Sequence, residues 1–367
     1  MRLFILAGEP SGDRLGAALI EDLRQRGPLE LSGIGGPDMA AAGLASLFPM
    51  SDLSVMGFTD VLARLPLLLR RIGQTVAAIR KARPNAVVLI DSQEFAFRTA
   101  RAVRRFAPDL PILLYVAPSV WAWRPERAPR LKPVFTEIHA VLPFEPEVMA
   151  RLGGPPTVYV GHPALQRFPA ANDARDERLI ALLPGSRRGE LRQHVPLLQE
   201  AVDRIRAEAD VRFVLPTLPN LAGMVRSAFP RGIEIVVERD AATAAMQQAT
   251  MAISGMGTAT LELAAAGTPH VSFYHGDWLV QRAYDKAKPR FVALPNILLR
   301  RPVVEEVLMR RPEPARLAQA ALTLWRDRNA RSTQQAAFVE LRQLMESGLP
   351  NAPKASAAER VLALARG

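Results

Sequence analysis

The 367-residue chain contains no cysteine. A disulfide framework, a thiolate zinc site, an iron–sulfur cluster and a cysteine nucleophile are therefore excluded. No segment reaches the ~18 uninterrupted apolar residues of a membrane-crossing helix. The opening run Arg2–Ala7 is short and leads into Gly-Glu-Pro-Ser-Gly-Asp, so it predicts a first strand and not a signal peptide. The five histidines (His139, His162, His194, His270, His275) show no HxxxH or HExxH spacing, and no Asp-x-Asp motif occurs, so no metal site is indicated and no cofactor is expected. Aromatic residues make up 6% and no nucleic-acid motif is found, which argues against a nucleic-acid partner.

Acidic residues are missing altogether from Val61 to Ile90, where Arg64, Arg70, Arg71, Arg80, Lys81 and Arg83 stand. From Asp91 to Thr136 eight more cations face only Asp91, Glu94, Asp109 and Glu126. Residues 61–136 thus hold ten of the chain's eleven net positive charges. A local surplus of this kind points to an anionic partner. The same stretch holds Leu65, Leu67, Leu68, Leu69, Ile72, Val76 and Ile79. Arginine beside aliphatic side chains suits the boundary of an anionic membrane. On the base rate of amphipathic helices, a helix that packs its leucines inward and solvates its arginines is the stronger local reading.

Length alone suggests two to three domains. Apolar runs alternate with amphipathic stretches: strands at Arg2–Ala7, Glu30–Gly33, Ala86–Ile90, Ile112–Val116 and Glu137–Leu142, with helices such as Asp13–Arg26 and Glu94–Phe106 between them. The pattern restarts at Leu179–Leu183 and runs through Val211–Leu215, Ile233–Val237, Met251–Ser254 and His270–Phe273; from about Val303 the chain reads as almost wholly helical. Such alternation predicts an α/β protein with two doubly wound, Rossmann-like parallel sheets. The polar segment Phe168–Arg178 is the expected linker, giving domains 1–168 and 178–345. A cleft between the C-terminal edges of the two sheets is the expected ligand site.

Four loops carry candidate chemistry. Gly8-Glu9-Pro10-Ser11-Gly12-Asp13 joins a strand to a helix and offers free N–H groups to an anion, although the GxGxxG spacing is absent. Gly33-Ile34-Gly35-Gly36-Pro37 is a second glycine turn, and for either of these loops alone a merely structural turn is the commoner explanation. In the second half, Pro184-Gly185-Ser186-Arg187-Arg188 and Ser254-Gly255-Met256-Gly257-Thr258 both stand between a strand and a helix. Arg187 is suited to a diphosphate, or else is solvated with Arg188. Glu262, one turn into the following helix, is suited to ribose hydroxyls. Asp91-Ser92-Gln93-Glu94 follows the apolar strand Ala86–Ile90. Its two carboxylates fit general-base work, and equally fit a cap and a first-turn acid. Two of the four tryptophans, Trp121 and Trp123, share a loop with Arg124. They suit sugars, acyl chains or a membrane interface, or else core packing.

Together these segments closely resemble the lipid-A-disaccharide synthases, inverting glycosyltransferases of the GT-B fold. The resemblance rests on AGEPSGDRLGA (7–17), GIGGPDM (33–39), SVMGFTDVL (54–62), PSVWAWR (118–124), LPFEPEV (142–148), VGHP (160–163), LPGSRRGEL (183–191), SGMGTATLE (254–262) and LPNIL (294–298). It implies transfer of 2,3-diacylglucosamine from UDP to 2,3-diacylglucosamine 1-phosphate, forming a β-1,6 disaccharide 1-phosphate without a metal. The implied enzyme is cytoplasmic and peripheral on the inner membrane, which 61–136 would face. The family's carboxylate motif falls on Asp91 and Glu94, its phosphate-contacting arginine on Arg187 beside Gly185 and Ser186, its Gly/Thr loop on Gly255, Gly257 and Thr258, its helix acid on Glu262 and its LPN asparagine on Asn296. Glu9, Ser11 and Gly12 match the acceptor-side loop. The family often has aspartate where this chain has Glu94, so the base stays open between the two carboxylates. The resemblance leaves room for a homodimer, and for the tail 354–366 to pack back on the first domain. The rival readings are another GT-B enzyme acting on UDP-GlcNAc and a soluble sugar, and a non-catalytic membrane-associated nucleotide-binding protein.

Overall fold

The computed structural model describes residues 1–53, 58–168, 175–229, 232–276 and 290–366, with 58–63 as backbone only. The chain forms two compact units, one of residues 1–163 with 345–367, the other of residues 164–344.

In the first unit β1 (Arg2–Ala7), β2 (Glu30–Ile34), β3 (Ala86–Ile90), β4 (Ile112–Tyr115), β5 (Glu137–Ala140) and β6 (Thr157–Tyr159) form one sheet in the order β2-β1-β3-β4-β5-β6. Every pairing is parallel. β3 is buried at all five positions, which is why Ala-Val-Val-Leu-Ile is apolar without alternation. β6 has only three residues and no legible period, and the sequence pattern did not show it. Helix Phe58–Ala82 lays Leu68, Ile72, Val76 and Ile79 on the core at spacings of three and four, the inward stripe of an amphipathic helix. Leu65 and Leu69 remain outside, 38% and 51% exposed. Some of the basic residues have structural employment: Arg104 donates to the carbonyls of Val134, Pro108 and Leu110, and Arg71 pairs with Asp52 at 2.8 Å. The chain returns to this unit at its end. Helix Ala357–Arg366 packs on helix Pro10–Gln25, and Arg360 pairs with the buried Glu137 of β5.

The second unit repeats the architecture with β7 (Asp176–Leu183), β8 (Arg212–Pro216), β9 (Ile233–Val236), β10 (Ala249–Gly255), β11 (His270–His275) and β12 (Glu305–Met309), ordered β12-β11-β10-β7-β8-β9 and all parallel. Two expectations need correction. The C-terminal third is not wholly helical: β12 lies at the sheet edge against β11, a five-residue strand that buries Val307 and Met309 and turns Glu305 outward. The unit boundary precedes the expected linker, because Phe168 is fully buried among Ala164, Leu179 and Ala181 of the second unit. Residues 169–174 of that linker lie outside the described residues. Arg175, just after them, donates to the carbonyls of Gln247, Ala249 and Ala266.

His270 of β11 is buried, stacked on Phe338 at 5.5 Å, with Nδ1 bonded to Thr268 O at 3.0 Å. Desolvation pushes its pKa down to about 4. Protonation is therefore easier in the unfolded chain. This stability is full above pH 6.5 and is lost as pH falls toward 4, amounting to about 3 kcal/mol over that window. His270→Phe keeps the stack and should flatten the loss of second-unit stability between pH 7 and 4 in denaturant titrations. An unchanged slope would remove His270 as its source.

Candidate active site

In open parallel sheets ligands bind at the carboxyl ends of strands where the strand order reverses. In the first unit that reversal falls between β1 and β3, which pair through Ala7 and Ile90. The loops that follow these strands are Gly8–Asp13 and Asp91–Glu94, so the fold brings two of the sequence-predicted loops side by side. They interlock: a Cβ on Gly8 would lie 1.9 Å from Ser92 Oγ, and one on Gly12 would lie 3.3 Å from Ile90 Cγ2. Asp91 and Ser92 both have positive φ, +56° and +42°. For residues other than glycine this left-handed conformation costs energy and clusters at functional sites. It turns the chain sharply off the end of β3. Asp91 is half-buried there, with Oδ1 accepting from Ser92 N–H at 3.0 Å.

Glu94 is placed differently. It lies in the first turn of helix Gln93–Arg104, is 69% exposed, and pairs with Arg98 one turn on at 2.8 Å. Glu9 and Ser11 are exposed at the head of helix Pro10–Gln25, whereas Gly12 is buried. The neighbouring Asp13 is 1% exposed and caps helix Pro37–Ala41 from a distance: its carboxylate accepts from Gly36, Asp38 and Met39 N–H at 2.7, 2.9 and 3.1 Å. The second glycine turn is thus a structural partner of the first loop. The tryptophan loop divides in function. Trp121 stacks edge-on against Phe144 at 5.3 Å and donates to Glu145, while Trp123 is 53% exposed with Arg124 above its ring. Burial pushes the Glu145 carboxyl up to about 8, against the pull of N–H donors from Leu142, Trp121 and Val141.

In the second unit the reversal falls between β7 and β10, which pair through Leu183 and Ser254. The loops after them are the two anion-suited glycine loops. Gly185 has φ +121° and Gly257 φ +126°, conformations that favour glycine. Arg187 caps helix Arg188–Glu208, is 73% exposed and pairs with Glu190 at 3.0 Å. Ser186 beside it is exposed. Gly257 heads helix Thr258–Ala265 with nothing near its missing Cβ, and Gly257 and Thr258 are exposed. Two helix N-termini therefore meet at one sheet edge, an arrangement suited to a diphosphate. Glu262 is half-buried and bonded to Arg167, which also holds Thr243.

Asn296, the asparagine of the LPN motif, is engaged within the fold. It is 1% exposed. Its Nδ2 donates to Val304 O and Glu306 Oε1, and its Oδ1 accepts from Val303 and Val304 N–H, each at 2.8 Å. An amide offers two donors and two acceptor lone pairs, so all are spent inside the fold. Among the described residues no group of three His, Asp or Glu forms a metal cluster.

The sequence profile of the Lipid-A-disaccharide synthetase family matches residues 3–360. The chain belongs to that family. With it the chain belongs to the hexosyltransferases. It is 40% identical to the lipid-A-disaccharide synthase of Nitrobacter hamburgensis, covering 98% of this chain and 95% of the relative. It is 38% identical to that of Bradyrhizobium diazoefficiens, covering 100% and 97%. Among solved structures the fold is similar to S. aureus MnaA with UDP, at a TM-score of 0.64 and 14% identity over 96% of this chain and 99% of that one. The calicheamicin glycosyltransferase CalG4 is similar at a TM-score of 0.56 and 17% identity, covering 99% and 97%. These likenesses place the two sheets in the GT-B fold.

Within that family frame, Arg167, His194 and Glu306 stand outside the quoted motifs, and Asp13 and Glu145 stand inside them without a role that the motif announces. Their work is done by contacts to other elements, such as Arg167 with Glu262, His194 with His275 and Asp13 with Gly36, which no local spacing announces. The only hint for Asp13 is an acid in a helix first turn, which is normally a local feature.

Proposed function

We propose that this chain transfers 2,3-diacylglucosamine from UDP to the 6-hydroxyl of 2,3-diacylglucosamine 1-phosphate, releasing UDP. The observation that carries the reading is the family match over residues 3–360, joined to the standing of Asp91 and of the Arg187 and Gly257 loops at the two switch points. The second unit takes the donor. Arg187 and the free N–H groups near Gly257 and Thr258 meet the charge that develops on the leaving diphosphate, with Gly185, Ser186 and Gly255 giving the backbone close approach. Glu262 serves the ribose. The first unit takes the acceptor along Glu9, Ser11 and Gly12. Asp91, rather than Glu94, removes the hydroxyl proton as the oxygen attacks the anomeric carbon and the bond to the diphosphate breaks. A single displacement of this kind inverts the anomeric configuration. With purified protein, UDP should appear only when both acylated substrates are present. Release with a non-acylated sugar acceptor instead would favour the soluble-sugar enzyme, and UDP binding with no turnover the non-catalytic protein.

On this reading the enzyme works at the cytoplasmic face of the inner membrane, a location that acylated substrates support. Among the described residues no helix is long and apolar enough to cross a membrane. The docking surface we propose is the outer face of helix Phe58–Ala82, where exposed Leu65 and Leu69 stand among Arg64 and Arg70. Leu65→Glu with Leu69→Glu should cut sedimentation with anionic phospholipid vesicles by about tenfold, since both apolar burial and attraction to the lipid charge are lost. Undiminished sedimentation would move the docking surface elsewhere.

A further inference from the structure

His194 lies in helix Arg188–Glu208 and is 3% exposed. Its Nδ1 is 2.7 Å from Pro184 O and its Nε2 is 3.0 Å from His275 O. Both partners are backbone carbonyl oxygens, which only accept. A neutral imidazole carries one N–H and one lone pair, so it could satisfy one of these oxygens and would point its lone pair at the other. Only the imidazolium donates to both. The ring lies edge-on to Phe273 at 4.8 Å and to Tyr274 at 6.0 Å. The two bonds tie the end of β7 to the end of β11 across β10, which runs between them. Gly255, at the end of β10, faces this brace: a Cβ there would lie 3.5 Å from Nδ1 and 3.3 Å from Pro184 O. The ring therefore sits directly behind both loops assigned above to the donor diphosphate.

We infer that His194 is a positioning residue for the nucleotide diphosphate. Doubly protonated, it holds the Pro184–Arg187 turn and the end of β10 in the conformation that receives the phosphates, and it adds a buried positive charge beneath them. UDP binding and protonation of His194 are then linked, each favouring the other. The titratable and charged neighbours are Tyr274 and His275 on β11, and Arg187 and Glu190 at the head of its own helix, which pair with each other. The ends of β7 and β10 contribute backbone and non-titrating side chains only. This inference rests on the proposed donor site.

The test uses the full chain and UDP as probe. Histidine ring nitrogens labelled with 15N, with the His194 signals assigned by their loss in His194→Gln, should both show imidazolium shifts at pH 7.5 with UDP bound. The Kd for UDP should weaken by about tenfold per pH unit as His194 loses its proton, as one linked proton requires. In His194→Gln that dependence should be absent, although its thermal unfolding is cooperative. A purely structural histidine would change affinity without changing its pH profile. One pyrrole-type and one pyridine-type nitrogen in the UDP complex, or identical pH profiles in the two proteins, would overturn the inference while leaving the donor site intact. Failure of the wild-type chain to bind UDP at all would overturn the donor-site reading itself.

Discussion

Asp91→Asn should lower turnover by about 10²–10⁴, the loss typical of removing a general base, while Glu94→Gln should stay within about threefold of wild type. The two carboxylates are close in sequence and chemically alike, so the difference is one of placement. Asp91 ends β3 at the strand-order reversal, half-buried, on a backbone held at positive φ. Glu94 is 69% exposed and engaged with Arg98 in an i,i+4 surface pair, a contact worth only a few tenths of a kcal/mol. Asparagine keeps the size of Asp91 and still accepts from Ser92 N–H, so the change removes basicity with little change of shape. The effect belongs in kcat, read as UDP release with both acylated substrates saturating, and thermal unfolding of the variant should match wild type. Near-normal kcat in Asp91→Asn, or a collapse confined to Glu94→Gln, would reverse the assignment.

The contrast shows what is legible in one sequence. Period and composition mark the central strands: the unbroken Ala-Val-Val-Leu-Ile of β3 announces a strand buried on both faces, and the strand–glycine loop–helix junctions announce the anion-suited edges. What they cannot mark is work done by long-range partners. Asn296 stands in a family-like motif yet spends every donor and lone pair on Val303, Val304 and Glu306. Arg104 counts toward the basic surplus yet closes carbonyls of a loop. The amphipathic-helix reading of 64–83 holds for Leu68, Ile72, Val76 and Ile79, and fails for Leu65 and Leu69, which leave apolar surface beside arginine. Helical period predicts which residues share a face but not how much of that face a neighbour covers. The edge strand β12 is not legible in the sequence because five residues between the short helix Leu294–Leu299 and helix Pro314–Arg326 carry little period of their own.

The largest expected loss of stability is at Asp13, and it follows from the same kind of long-range partnership. Its carboxylate is buried, and three N–H groups at the head of helix Pro37–Ala41 have no helical acceptor and use it instead. Bonds to a charged group are worth about 1.5–3 kcal/mol each, and deleting the acceptor leaves buried donors unpaired. Such terms are not additive, so Asp13→Ala should destabilise the first unit by about 4 kcal/mol in denaturant titrations. Asp13→Asn should cost about half as much, because its remaining oxygen still serves Gly36 and Met39 whereas its amide group faces Asp38 N–H. The contact also requires glycine at 36, where a Cβ would lie 2.5 Å from Asp13 Oδ2. Since Asp13 follows Glu9, Ser11 and Gly12 directly, the alanine chain that remains folded should also bind the acceptor more weakly, seen as a raised acceptor KM with an unchanged donor KM. Stability within about 1 kcal/mol of wild type would show that solvent or a rearranged loop satisfies those three donors, and the capping account of the two glycine motifs would fall.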